Sequence, residues 1–186
     1  MLSPAAAPLL HAVGGLGGVP SGAEVELEER GPEPEAGVAR VGRLAGQLVR
    51  LAALLKELET QAHLVHVNYE SANFLEVHAF LKERYEEHLA QFDQVAELVR
   101  TLDHFLPMCS CGLAEALPPF QHVCSYEGRA MLLTYFANIE SLGYLAKAIE
   151  QLAAEVEAPD VANVMAELVG AAFKTSWMLK AMLRCG

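Results

Sequence analysis

Four side chains able to hold a metal ion, His66, His78, Asp93 and Glu97, stand within one stretch of this 186-residue chain. Asp93 and Glu97 are four residues apart, which on a helix puts both carboxylates on one face with roughly 6 Å between their Cβ atoms. Two acids held so close repel unless a cation lies between them. His78 precedes Asp93 by fifteen residues, about four turns and about 22 Å along a single helix. One chain therefore cannot bring its imidazoles and its carboxylates to one ion. The spacing predicts a symmetric dimer, with His66 and His78 of one copy meeting Asp93 and Glu97 of the other. Such a donor set suits Fe(II), Zn(II) or Mn(II), and open, water-accessible positions permit redox chemistry at iron. Lys82, four residues after His78, places an ammonium where such a site would take another acid.

The elements that must position these residues are helices. Val41, Leu44, Leu48, Leu51, Leu55, Leu58, Ala62 and Val65 recur at steps of three and four, one apolar stripe on a helix from Val38 to Val67. The segment Glu70-Ser71-Ala72-Asn73 breaks the pattern. A second helix follows from about Phe74 to Leu102, with Phe74, Val77, Leu81, Tyr85, Leu89, Phe92, Ala96 and Val99 as its stripe and Asn73 as its cap. Between Phe105 and Cys124 periodicity fails around Pro107, Gly112, Pro118 and Pro119, which reads as a long connection with a short helix near Leu113 to Leu117. A third helix is expected from Ser125 to Glu155, ended by Ala158-Pro159, and a fourth from an Asp160 cap to about Leu183. The fold class is all-α: a four-helix bundle over residues 38–186 whose long connection between helices two and three gives the one-crossover, ferritin-like arrangement.

Residues 1–37 read as a flexible arm. Met1 to Ala23 carries no Lys, Arg, Asp or Glu and holds the run Gly14-Gly15-Leu16-Gly17-Gly18, unlike a secretion signal or a mitochondrial transit peptide. No apolar run approaches the roughly 20 residues that span a bilayer. The formal net charge of −11 opposes binding to a phosphate backbone and favours cations, so nucleic acid is a poor default partner. Four cysteines in a long helical chain need no disulfide framework and point to a reducing cytosol.

The run from His66 through Asn73-Phe74 to His78, followed by Tyr85, His88, Asp93 and Glu97, resembles the signature of the Dps family of mini-ferritins. The terminal segment Lys174-Thr175-Ser176-Trp177-Met178-Leu179-Lys180-Ala181 is similar to that family's last helix. The resemblance implies a homo-oligomeric cage, a dodecamer, with ferroxidase sites at dimer interfaces that oxidise Fe(II), often with hydrogen peroxide, store Fe(III) mineral and protect against oxidative stress. His66, His78, Asp93 and Glu97 would be the iron ligands. The family usually has an Asp where Lys82 stands and commonly a Trp where Val67 stands. The resulting expectation is one firm cation position at His66, Asp93 and Glu97, and a second near His78 weakened by Lys82. The alternative is a shell holding a single non-redox ion such as Zn(II). Members that compact DNA use a Lys-rich tail, whereas Glu24 to Glu35 holds six acids against Arg30 alone, so no DNA binding is expected.

Plainer readings stand beside these. Glu97 could pair with Arg100 on a solvated face, His63, His88, His104 and His122 have ordinary readings as exposed or hydrogen-bonded residues, and Trp177 reads as core or interface. Glu155, Glu157 and Asp160 are ordinary surface charge unless three copies ring an acidic pore. Cys109, Cys111, Cys124 and His122 could form a secondary thiol site for Zn(II) or Cu(I), or a disulfide, with reduced thiols as the simpler expectation.

Overall fold

A computed structural model describes residues 34–184. Most of the arm expected over residues 1–37, all of its acidic patch but Pro34 and Glu35, and Cys185 lie outside the described residues. The described residues form five helices and no strand: α1 (Pro34–Asn68), α2 (Phe74–Thr101), α3 (Ser110–Ala116), α4 (Gly128–Glu155) and α5 (Pro159–Arg184). The four long helices are the expected ones and α3 is the short helix of the connection. The first begins at Pro34 rather than Val38, and the third at Gly128 rather than Ser125. Pro159 does not merely end α4: it opens α5, where its missing N–H costs nothing, and Asp160 lies inside the first turn instead of capping it.

The expected stripe of α1 is the centre of the core. Leu44, Leu48, Leu51, Leu55, Leu58, Ala62 and Val65 are all buried, and so are Ala52 and Leu54 off the stripe, because α1 packs on α2, α3 and α4. The stripe read for α2 is only partly covered. Val77, Leu81 and Val99 are buried together with Phe80, His88, Val95 and Leu98, whereas Leu89 is 51% and Phe74 38% exposed. Apolar periodicity located this face, but its far flank has no neighbour among the described residues.

Three contacts establish the path of the chain. A Cβ on Gly42, near the start of α1, would lie 3.7 Å from His104 just beyond α2, so α2 ends where α1 begins. A Cβ on Gly128, the first residue of α4, would lie 2.9 Å from the Tyr69 ring just beyond α1. The connection between α2 and α4 thus runs the length of the bundle, about 40 Å at 1.5 Å per residue of α1. Near its α4 end it is held by a buried amide clamp: Gln61 Nε2 and Asn138 Nδ2 both donate to the Gln121 carbonyl, at 2.8 and 2.7 Å, while the Gln121 N–H donates to Asn138 Oδ1 at 3.0 Å. These contacts satisfy backbone groups that an irregular segment pressed on a core would otherwise leave unpaired.

The α4–α5 turn closes with a Schellman motif, in which Ala158 N–H donates to the Ala153 carbonyl at 2.9 Å and Glu157 N–H to the Ala154 carbonyl at 3.3 Å. Glu157 takes the left-handed position at φ 57° that glycine occupies more cheaply. Two polar contacts join α2 to α4 and α5: Arg84 donates to Thr175 Oγ1 at 3.2 Å, and buried His88 meets Tyr135 Oη at 2.8 Å through Nε2. Within α2, Arg84 pairs with Glu87 and His88 Nδ1 meets Gln91 Oε1 at 3.0 Å. No helix among the described residues is long and apolar enough to cross a membrane.

Candidate metal centre

His66 sits in the last turn of α1, where carbonyls lack an intrahelical donor. His78, in the second turn of α2, lies against it: the rings stack with centroids 3.6 Å apart and planes 20° from parallel. His66 Nδ1 donates to the His78 carbonyl at 2.7 Å, and His78 Nδ1 donates to the His66 carbonyl at 2.9 Å. A carbonyl only accepts, so both Nδ1 atoms carry their protons, and in the neutral form of each ring the lone pair is left on Nε2. That tautomer is the one a metal ligand needs, fixed by the second hydrogen bond that usually orients such histidines.

The turn beneath this pair is held by local contacts. Asn73 holds the N-cap position of α2 but makes no side-chain cap bond; its Oδ1 accepts from Tyr69 Oη at 2.8 Å instead. Tyr69 is buried, and its ring occupies the space above Gly128 that any Cβ would invade. The start of α4 therefore presses Tyr69, and Tyr69 holds the turn carrying both imidazoles. The sequence reading missed these supports, whose signal is faint: a glycine opening a helix far along the chain from the tyrosine it admits.

Asp93 and Glu97 are exposed on α2 and have no hydrogen-bond or ion-pair partner among the described residues. The pairing of Glu97 with Arg100 does not occur, because the Arg100 guanidinium lies 3.9 Å above the Phe105 ring and donates to the His104 carbonyl. At about 100° per residue, His78, Lys82, Leu89, Asp93 and Glu97 fall within about 100° of arc on one flank of α2. No group of three or more His, Cys, Asp or Glu side chains converges among the described residues. The chain thus carries an imidazole half and a carboxylate half, separated along one helix flank. Lys82 lies between them and reaches Glu86 at 3.4 Å, both half-exposed, a geometry that holds the ammonium only weakly.

The secondary thiol site is not assembled. Cys109 and Cys111 form a disulfide, Cys109 Sγ also accepts from Gly112 N–H at the start of α3, Cys124 is free and exposed, and His122 turns to Glu57 at 3.8 Å. A bonded sulfur has no thiolate to offer a metal. Glu155, Glu157 and Asp160 are exposed around the α4–α5 turn. Trp177 does not enter the core: it is 66% exposed. His88 is no surface histidine, and burial, with the nearby Arg84 charge adding to it and the Gln91 hydrogen bond opposing it, brings its pKa down to about 4. Burial likewise raises the Tyr135 hydroxyl above its ordinary range.

The ferritin-like domain family matches residues 45–185. Among solved structures, the chain is similar to the Dps protein of Vibrio cholerae O1, described as a member of a broad superfamily of ferritin-like diiron-carboxylate proteins, with 25% identity, 78% of this chain and 92% of that one covered, and a TM-score of 0.73. Dps of Thermosynechococcus elongatus gives 20% identity, 80% and 94% coverage and a TM-score of 0.76. Antigen TpF1 of Treponema pallidum gives 22%, 78%, 94% and 0.73. No curated protein sequence matches. The matched domain and the bundle with its lengthwise crossover lead to one conclusion: the chain belongs to the ferritin-like domain family, with the fold of the Dps proteins.

Proposed function

We propose that this protein oxidises and stores iron as a Dps-like homo-oligomeric cage, a dodecamer in the cytosol, at metal centres shared between two chains. The observation that carries the reading is the pair of complementary halves on one flank of α2: two imidazoles with free Nε2 lone pairs, and two unpaired carboxylates about 22 Å away. A twofold axis crossing α2 midway between them lays each imidazole half on a partner's carboxylate half, so one dimer completes two sites. The flank suits a second copy, since Leu64, Val67, Leu75 and Leu89 are each more than half exposed around it. Iron(II) is the substrate. Two Fe(II) give one electron each to hydrogen peroxide, which with two protons leaves as two waters, and no electron remains for radical formation. Exposed Glu155 and Asp160 would draw cations through a threefold pore, and the net charge of −11 opposes DNA coating.

Adding Fe(II) and then peroxide to the anaerobic protein should produce ferric absorbance and electron-dense cores, with light scattering giving the mass of twelve chains. A dimer without cores would sink the storage reading.

Lys82 supports a second reading, a single cation per half-interface such as Zn(II), because an ammonium one turn from His78 repels a second ion. Lys82→Asp should raise the number of Fe(II) bound per site and speed oxidation. If both stay at the wild-type value, Lys82 has no part in the centre.

A further inference from the structure

His63 stands three residues before His66 on α1, so the two imidazoles rise from the same helix face. Their ring centroids are 6.1 Å apart with planes at 60°. A cation lies about 2.0–2.1 Å from each imidazole nitrogen, and with about 1.1 Å more to each ring centre, two rings sharing it stand about 5.2 Å apart at a tetrahedral angle and about 6.4 Å apart in line. The observed separation falls between these two spacings.

The His63 ring is held in place. It stacks on Tyr85 with centroids 4.3 Å apart and planes 21° from parallel, and the same Tyr85 ring meets His66 edge-on at 5.4 Å. Stacking occupies the face of an imidazole and leaves its in-plane nitrogens available. Those nitrogens have no hydrogen-bond or ion-pair partner among the described residues, and the side chain is exposed beside the half-site. An exposed histidine with no partner ordinarily samples several rotamers, so one braced by a tyrosine that also braces a ligand is positioned.

We propose that His63 is a further metal ligand of the imidazole half, joining His66 on the first cation. The inference rests on the shared metal centre proposed above and deepens it. Lys82 supplies no lone pair while protonated, and a neutral imidazole adds a donor without adding charge. The resulting nitrogen-rich set favours the later first-row divalent ions, Fe(II) and Co(II), over Mg(II) and Mn(II).

Co(II) is the probe, because its visible absorption reports the ligands around it apart from any oxidation activity. The full-length protein and its His63→Ala, His63→Phe and His66→Ala variants are titrated with Co(II), with assembly followed by light scattering. His63→Phe keeps the stack on Tyr85 and removes only the nitrogens. The expected result is Co(II) affinity lowered about tenfold or more in both His63 variants, with an altered spectrum and unchanged assembly. If His63→Phe binds Co(II) with the wild-type affinity and spectrum while His66→Ala loses it, His63 is only a stacking partner and the inference fails while the shared centre stands. If His66→Ala also binds as the wild type does, the shared centre fails, and the role of His63 with it.

Discussion

At the α1–α2 turn two imidazoles stack on each other and lock each other's Nδ1 protons onto backbone carbonyls, over a buried tyrosine that presses the start of α4. Four to five turns along the same helix, Asp93 and Glu97 are exposed with no hydrogen-bond or ion-pair partner among the described residues. The first region is built within one chain; in the proposed centre the second would be completed by a partner. Nitrogen donors lose nothing by being buried early, because neutral imidazoles carry little desolvation cost. Two carboxylates buried without a cation would cost several kcal/mol. The proposed shared centre would therefore keep its charged half exposed until assembly and cation arrive.

The sharpest way to break the contrast is to remove one member of each half. His66→Ala and Glu97→Ala should each lower Fe(II) oxidation by about a hundredfold or more, as loss of a group acting only at the reacting centre does. Stability should separate them. Denaturant unfolding should show His66→Ala about 2–3 kcal/mol less stable, from a lost buried ring and its hydrogen bond, and Glu97→Ala within about 0.5 kcal/mol of the wild type. Equal destabilisation by the two would end the distinction.

His88, on α2 between the two halves but on its buried face, tests what burial does to an imidazole here. Its folded pKa is about 4 against an ordinary 6.5. Between those values the unfolded chain binds a proton that the folded chain refuses, so stability falls as the pH drops from about 6.5 and levels off below about 4. Above 6.5 both states are neutral and the group contributes no slope. The loss should approach about 3 kcal/mol, read from unfolding curves at pH 7, 6, 5 and 4.5. The double variant His88→Leu with Tyr135→Phe, which leaves no buried hydroxyl unpaired, should flatten the profile; a slope that survives belongs to other groups.

Gly128→Ala perturbs only the finished half. A Cβ 2.9 Å from the Tyr69 ring must push it and the turn above, at a cost of about 1–3 kcal/mol. It should slow iron oxidation while leaving Co(II) or Fe(II) able to bind at a carboxylate pair it does not touch. A variant as stable and active as the wild type would show that the turn yields freely. The smallest change is expected from Glu157→Gly, in the α4–α5 turn, which relieves a left-handed backbone at φ 57° and should add up to about 1 kcal/mol. Unchanged iron uptake in that variant would leave Glu157 out of the entry path, whereas slowed uptake would assign it to one.

Much of this was legible in the residues. The stripe from Leu44 to Val65 is the core because its period matches the helix, and the failure of that period around Pro107, Pro118 and Pro119 marks the crossover. The α2 stripe misled at Phe74 and Leu89, which are apolar and exposed: a pattern along one helix gives an apolar face but not which part a neighbour covers. Trp177 faces outward for the same reason. Cys109 and Cys111 read as thiols from composition, and their pairing with each other depends on the local path into α3.

The sequence by itself determined that four helices form, which residues could bind a cation, and that their spacing along α2 forbids a one-chain site. Those facts follow from a fixed rise and rotation per residue. The tertiary structure alone decided which imidazole nitrogen is free, that His88 is buried and His63 braced by Tyr85, and that Gly128 must lack a side chain for Tyr69 to hold the turn. Each of these depends on which atoms distant segments bring within a few ångströms, and no local period encodes that.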